Sequence, residues 1–440
     1  MGAPTTQLLA DHHSTVFASL AGHGVPWIDR WRLAGLDSYH ALGLPTRRIE
    51  SWKYTDLRLL QRRGFTLPST DPVLDVVPAS VLSVDGFRIV LVNGRFRPEL
   101  SDVDGLPQGV TVTSLGDVLA RDPGALASHL GKLLELEDMP MAALNTAFAT
   151  DGLYLSLDDG VRLERPVHLV SIGGGTDEPV MFHPRHLVVL GVGASATLAE
   201  SHIGLGDCAY LSNEVLEAQV GLDASLEHYR LQRGGEETSH LAAARIVLHR
   251  NAVYHGFVLQ TGGGLSRYEA RLRFTDPDAE VRLAGAALAA GEAHLDNMTL
   301  VDHAAPRCYS RQLYKGAFGG RAKGIFQGKT IVREGAQRTD GYQMSRALLL
   351  SKEAEAKTKP ELEIYADDVT CGHGTTVGDL DTEALFYLRA RGIGEKDARR
   401  LLVEAFLSES IDEVSDTDMR EAFVHITRSW LDDYFSGVGA

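Results

Sequence analysis

Cysteine is nearly missing from this chain. Its 440 residues contain three, Cys208, Cys308 and Cys371. So sparse and odd a set excludes a disulfide framework and points to a reducing compartment. No C-x-x-C, no H-E-x-x-H and no second Cys/His pair at zinc-finger spacing occurs, so a closed structural zinc site is not expected. No apolar run approaches the roughly 18–20 residues needed to span a bilayer. The first twenty residues, MGAPTTQLLADHHSTVFASL, lack a basic start followed by an apolar block, so no secretory signal is expected. Gly2 after Met1 is too short a pattern to read as a myristoylation site. Positive charge is in deficit: the formal net charge is −16, which argues against non-specific binding to nucleic acid or to an anionic membrane. No G-x-x-x-x-G-K-[ST] occurs, and GGRAKGIFQGK (319–329) lacks the strand-to-helix context of a phosphate loop, so the chain is not expected to bind ATP itself. With 44% hydrophobic and 23% charged residues, what remains is an ordinary cytoplasmic composition, long enough for two or three domains.

Three textures follow one another. Residues 1–150 read as a mixed, largely helical domain. STVFASLAGHG and IDRWRLAGLDSYHALG carry helical spacing and end in glycine, and ALASHLGKLLELED (125–138) and MAALNTAFA (141–149) suggest a second helical stretch. Between them lie TRRIESWKYTDLRLL (46–60), rich in Arg, Trp and Tyr, and two strand-like runs, GFRIVLVNG and GVTVTSL. Over 151–378 short runs alternate apolar and polar residues, broken by Gly, Asp and Asn. The blocks beginning at Ala194, Ala224, Ala252 and Ala279 lie roughly 27–30 residues apart. A long strand region with a loose repeat predicts a β-helix, with a sandwich as the alternative. Apolar positions should line the interior, leaving most of the seventeen histidines outward-facing or satisfied between strands.

Residues 379–440 turn helical again. DTEALFYLRARG opens on a capping Asp381. EKDARRLLVEAFLSESI places Ala398, Leu401, Leu402, Ala405 and Phe406 on one stripe. TDMREAFVHITRSWLDDYF does the same with Met419, Ala422, Phe423, Ile426, Trp430 and Tyr434. About sixty helical residues make a thin core alone, so these helices are expected to dock on the strands, on a partner, or on both, and to cap the open end of the coil.

The densest chemistry is ADDVTCGHGTTVG (366–378). On an extended strand Cys371 and His373 share a face with Cα atoms roughly 6–7 Å apart, so both can reach one metal ion. They also allow a thiol nucleophile with its base, or a buried thiol beside a surface histidine. Two ligands are an incomplete site; the others would come from distant strands or from another chain. A second stretch, HLDNMTLVDHAAPRCYSRQLYKG (294–316), sets His303 and Cys308 near Asp296 and Asp302, as a site or as a polar turn. Asp367–Asp368 raises a carbohydrate-lyase reading, but neighbours on a strand face opposite ways and make no acid/base pair.

DNMTLVDHAAPRCYSRQLYKG, FQGKTIVREGAQRTDGYQ, LLLSKEAEAKTKPELEIYADDVTCGHGTTVGDLD and EALFYLRARGI together resemble the SufD family, subunits of the SUF iron–sulfur cluster assembly complex. ESWKYTDL (50–57) is similar to that family's N-terminal stretch. The resemblance is continuous over about residues 294–393. It implies a right-handed parallel β-helix flanked by an N-terminal, largely helical domain and a C-terminal helical one. It implies a non-catalytic scaffold that pairs with the sister subunit SufB, or with a second copy of itself, and binds the SufC ATPase through its C-terminal helices, where Leu385, Leu401 and Phe406 are candidate contacts. Sulfur reaches such complexes from a cysteine desulfurase, and a nascent iron–sulfur cluster is built partly at the subunit interface, where His373 and Cys371 fall on the ligand positions. A reduced flavin is associated with such complexes. The CGHGTTVG segment, and the lack of cysteine in QRTDGYQMSRALLLS, bring the chain nearer to SufD than to SufB. Gly372 departs from the serine common there. Two other readings remain: an interaction protein that only places the ATPase, and a β-helix enzyme acting on polysaccharide.

Overall fold

The computed structural model describes residues 9–437 apart from 59, 70, 71, 73 and 207; Gly2, and with it the myristoylation reading, lies outside the described residues. From Ser195 onward successive strands alternate between two ten-stranded sheets, each pairing in parallel with its neighbours in its own sheet until the last two, which pair on one side only. This is the β-helix expected from the sequence, flattened into two faces. Its repeat is built at one corner. Gly193, Asp223, Asn251, Asp278, Arg307 and Arg338 all adopt positive φ, between 55° and 68°, and the strand registers stack the next residues, Ala194, Ala224, Ala252, Ala279, Cys308 and Thr339, into a buried ladder. Asp and Asn tolerate the left-handed turn because their short side chains bond locally. Asn251 bonds Asp223 (2.7 Å) and Arg307 grips Asp278 (2.6 and 2.7 Å) from coil to coil. The spaced alanines of the sequence are therefore corner residues, and Cys308 is one of the same series.

The first 150 residues join this architecture directly. Phe87–Val92 pairs in parallel with Val167–Gly174, and Val110–Ser114 pairs antiparallel with Leu153–Leu157. The helix Pro26–Leu42 starts on a proline at its first turn and packs on Pro140–Phe148, which is buried along its whole length. Two expectations fail: STVFASLAGHG (14–24) makes only the end of a one-turn helix, His13–Val16, and a 3-10 turn, Phe17–Ser19, and 125–138 is not a helix. Only Pro123–Leu126 and Leu136–Asp138 make single 3-10 turns. Between them Gly131 turns to positive φ, and the Gly131 and Leu133 N–H groups point at the buried Glu217 carboxylate, 2.8 and 3.1 Å away. Glu217 is itself bound to the fully buried Arg185; satisfying that ion pair outcompetes local helix propensity.

The three C-terminal helices, Thr382–Ala390, Glu395–Ile411 and Thr417–Ser436, form as expected, with Asp381 accepting from the Glu383 and Ala384 N–H groups and Asp416 from that of Met419. They do not cap the end of the coil. The second and third lie along the outer face of one sheet, where Tyr229, Leu231, Phe257, Leu259 and the small Ala284, Ala286 and Ala317 meet Val403, Leu407, Ile411, Met419 and Phe423, and the first packs on the second with no buried residue of its own. Small outward residues let the helices approach, so burial favours the face over the end. The buried line of the middle helix is Ala398, Val403, Leu407 and Ile411, displaced from the stripe read in the sequence; Leu401 and Ala405 stay exposed. Among the described residues, no helix is long and apolar enough to cross a membrane.

The solenoid interior is not uniformly apolar. Glu200, Glu214 and Arg230 are buried there with His186, His202, His228 and His240. Burial alone would raise the two carboxyls, but Arg230 and the neighbouring imidazoles hold both well below the usual range. His168, bonded to Ser201 (2.9 Å), and His183, beside Asn213 (3.0 Å), are pushed down by burial to about 3. Because these folded pKa values lie below the unfolded value, the unfolded chain binds protons more tightly. Stability is therefore whole above about pH 6.5 and falls by about 1.4 kcal/mol per unit per histidine as pH drops towards 3. Acid titration followed by circular dichroism should show early cooperative unfolding, and His168→Gln with His183→Gln should move its midpoint down by roughly 0.5–1 pH unit; an unmoved midpoint would contradict a buried neutral state.

Candidate functional site

The solenoid ends on two edge strands. Glu355–Ile364 pairs only with Lys323–Val332, and Thr370–Gly378 only with Asp340–Leu349. In the last strand the Thr370 N–H bonds inward to Thr339. Strand geometry then turns the N–H and C=O groups of Cys371, His373, Thr375 and Val377 to the open edge. The other edge is blunted: the Glu355 N–H bonds to Ala322, so even-numbered residues face outward there, and one of them is Pro360, which has no N–H to offer.

Cys371 pairs with Gly341 and His373 with Gln343. Both partners are buried and inward-facing, whereas Tyr342 between them is exposed. Cys371 and His373 therefore share a face, as the spacing predicted, and it is the interior face of the last coil, with no further coil over it. Cys371 is half-buried and His373 exposed. A Cβ placed on Gly341 would lie 3.4 Å from Ser310 Oγ, 3.6 Å from Cys371 Sγ and 3.8 Å from His303 Nε2, so this glycine leaves a small polar opening behind the thiol. Burial raises the Cys371 pKa, opposed by the Gly341 backbone and by Arg311. Left to itself the thiol stays protonated; a bound metal or a partner's positive charge would be needed to hold the thiolate. At Gly372 an added Cβ would press on the Tyr342 ring at 3.2–3.3 Å, a local account of why serine is missing here.

The second sequence cluster resolves as core. His303, fully buried, bonds Ser310 (2.9 Å) and is pushed down to about 4; Cys308 is pushed up to about 11 by burial in the corner ladder. Asp302 is bound by Arg333, and Asp296 reaches the N-terminal segment. Asp367 and Asp368 sit exposed in the turn between the last two strands, not in a strand as the lyase argument assumed. Near the open end the sequence reading missed Tyr342, Ile364 and Tyr365, apolar residues left exposed; their signal is apolar character at positions that point outward.

On the C-terminal helices, Leu401 is exposed and Leu385 half-buried. Phe406 is half-buried: Lys315 lies 4.4 Å over its ring and donates to its carbonyl (2.9 Å), so this side chain helps hold the helix to the solenoid. The most exposed apolar pair there is Phe386 and Tyr387, 74% and 57% accessible.

Two family models cover nearly the whole chain: SUF system FeS cluster assembly, SufBD core domain, over residues 172–406, and SufBD protein N-terminal region, over 4–169. The chain belongs to the SufBD family. Its role lies in iron–sulfur cluster assembly, and the core match includes both edge strands, the first C-terminal helix and most of the second. The iron–sulfur cluster assembly SufBD family protein slr0076 of Synechocystis is 32% identical over 394 residues, covering 87% of this chain and 86% of that one. The iron–sulfur cluster assembly protein SufD of Escherichia coli is 32% identical over 384 residues, 86% and 87% of the two chains. Protein ABCI7, chloroplastic, of Arabidopsis thaliana is 28% identical over 389 residues, 86% and 80%. SufBD membership accounts for ESWKYTDL as well as for the terminal strand, since the N-terminal model spans the former.

Proposed function

We propose that this chain is a non-catalytic scaffold subunit of a SUF complex, which pairs through its open solenoid end with SufB or with a second copy of itself and lends His373 and Cys371 to a transient iron–sulfur cluster. The observation that carries this reading is the placement of both side chains on the uncovered inner face of a strand whose edge N–H groups point outward. Imidazole and thiolate are acceptable iron ligands, and a site that a second chain must complete can also be opened again. The cluster is cargo, held and passed on. Phe386, Tyr387 and Leu401 offer the SufC ATPase an apolar face on the C-terminal helices, so ATP turnover and cluster building are assigned to different residues. Asp367 and Asp368 are exposed in a turn, which gives no support to a polysaccharide-cleaving site, and that reading is dropped.

One reconstitution separates the two roles. With SufB, SufC and a cysteine desulfurase present, His373→Ala should lower cluster absorbance about tenfold while the complex still assembles, and Cys371→Ala should lower it less. Phe386→Asp with Tyr387→Asp should weaken capture of the ATPase about 30-fold or more, since an apolar hot spot contributes roughly 2 kcal/mol. Full cluster yield from Cys371→Ala/His373→Ala, together with lost capture in the helix variant, would leave a purely docking subunit.

A further inference from the structure

Within the early coils of the solenoid, far along the chain from Cys371, three side chains from three strands converge. His202 comes from Ser195–Leu205, Glu214 from Tyr210–Val220 and His240 from Thr238–Leu248, and one ligand atom of each lies within 4.8 Å of the others. They are 4%, 1% and 3% exposed. We propose that His202, Glu214 and His240 form a buried site for a divalent transition metal, a two-imidazole, one-carboxylate set suited to Fe2+ and able to take Zn2+ or Mn2+.

The three side chains meet as ligands on one ion would. His202 Nδ1 and Glu214 Oε2 stand 3.0 Å apart as a buried ion pair, and a metal ion can take the place of the proton that they share, since ligands bind deprotonated. The other face of the His202 ring is held as a metal-bound imidazole usually is: its Nε2 lies 2.9 Å from Glu200 Oε2, an outer carboxylate that fixes the tautomer and leaves Nδ1 free to ligate. Arg230 bonds both Glu200 and Glu214, the latter at 2.8 Å, and so orients the carboxylate ligand in turn. Its Nη2 also donates to His240 Nε2 across 2.6 Å. A metal taking that nitrogen must displace this one donor, while the guanidinium keeps its two carboxylates. His186, whose Nδ1 accepts from the Leu153 N–H, turns its protonated Nε2 toward Glu214 Oε1 at 3.8 Å and so steadies the carboxylate without being a ligand.

The site shares no residue with the terminal pair, so its test is separate from the assembly reading. The whole chain should be unfolded and refolded anaerobically with Fe2+ or Co2+, desalted, and its metal counted. One ion per chain is expected, and the Co2+ form should show ligand-field bands without sulfur-to-metal charge transfer. Cys371→Ala/His373→Ala should keep the ion; Glu214→Gln and His240→Gln should lose it by at least about tenfold. No stoichiometric metal in the wild-type chain, or an ion that leaves with Cys371 and His373 and survives Glu214→Gln, would overturn the site. Should the Glu214 and His240 variants fail to fold, the wild-type Co2+ spectrum decides: sulfur charge transfer refutes the assignment.

Discussion

Thr375→Pro is expected to abolish pairing of this chain with its partner subunit while leaving its own fold intact. The N–H of Thr375 faces the open edge, because the alternating pattern begins with the Thr370 N–H bonded inward to Thr339. Proline there removes no bond of the solenoid, whereas Thr376→Pro would. It deletes one edge donor and sets a ring where a neighbouring backbone must come to about 4.8 Å. Association in gel filtration or by calorimetry should weaken by about 100-fold or more, which is roughly 2.7 kcal/mol, with thermal unfolding moved by only a few degrees. Retained pairing would mean that the partner binds through the exposed Tyr342, Ile364 and Tyr365 without extending the sheet. The other edge serves as an internal control: Pro360 already stands at an outward position there, so the two edges at this end of the coil are not equivalent templates.

Asp296→Ala should destabilise the chain by about 3–5 kcal/mol, the usual cost of stranding a buried charge. Asp296 is fully buried; it is gripped by Arg267 and accepts from the Thr55 hydroxyl at 2.5 Å. Arg267 in turn lies 4.1 Å from the Trp52 ring and shares Glu269 with Arg271. Without Asp296 the guanidinium keeps only a carboxylate already engaged elsewhere. Trp52 and Thr55 belong to ESWKYTDL, so the same substitution should release that segment: chemical denaturation should lose its midpoint, and proteolysis should cut near Lys53. Asp296→Asn, which keeps an acceptor for Thr55, should cost less. A loss below about 1 kcal/mol with unchanged proteolysis would show that the apolar contacts of Trp52 hold the segment by themselves.

Much of this was legible beforehand. The alternation over 151–378 and the spaced alanines announced stacked strands, because a side-chain period of two and a recurring small corner residue leave few other solutions. The helices Glu395–Ile411 and Thr417–Ser436 announced themselves by apolar spacing, though the cap of the second is Asp416 and not the neighbouring Thr417 that the sequence suggested. Cys371 and His373 were found by proximity in sequence, which on a strand is proximity in space. By contrast, His202, Glu214 and His240 come from three strands, the first and last 38 positions apart, and nothing local marks them. The segment 125–138 misled for the complementary reason: its apolar spacing is helical, but a carboxylate from residue 217 claims its backbone.

The chain alone determined that strands would stack, that three helices would follow, and that a thiol and an imidazole would share a face, since each of these depends on residues within a few positions of one another. Which face the helices cover, which edge stays open, and which charges meet inside were decided only when distant coils came into register. Those outcomes depend on burial and on pairing across the solenoid, forces that no short stretch of sequence carries.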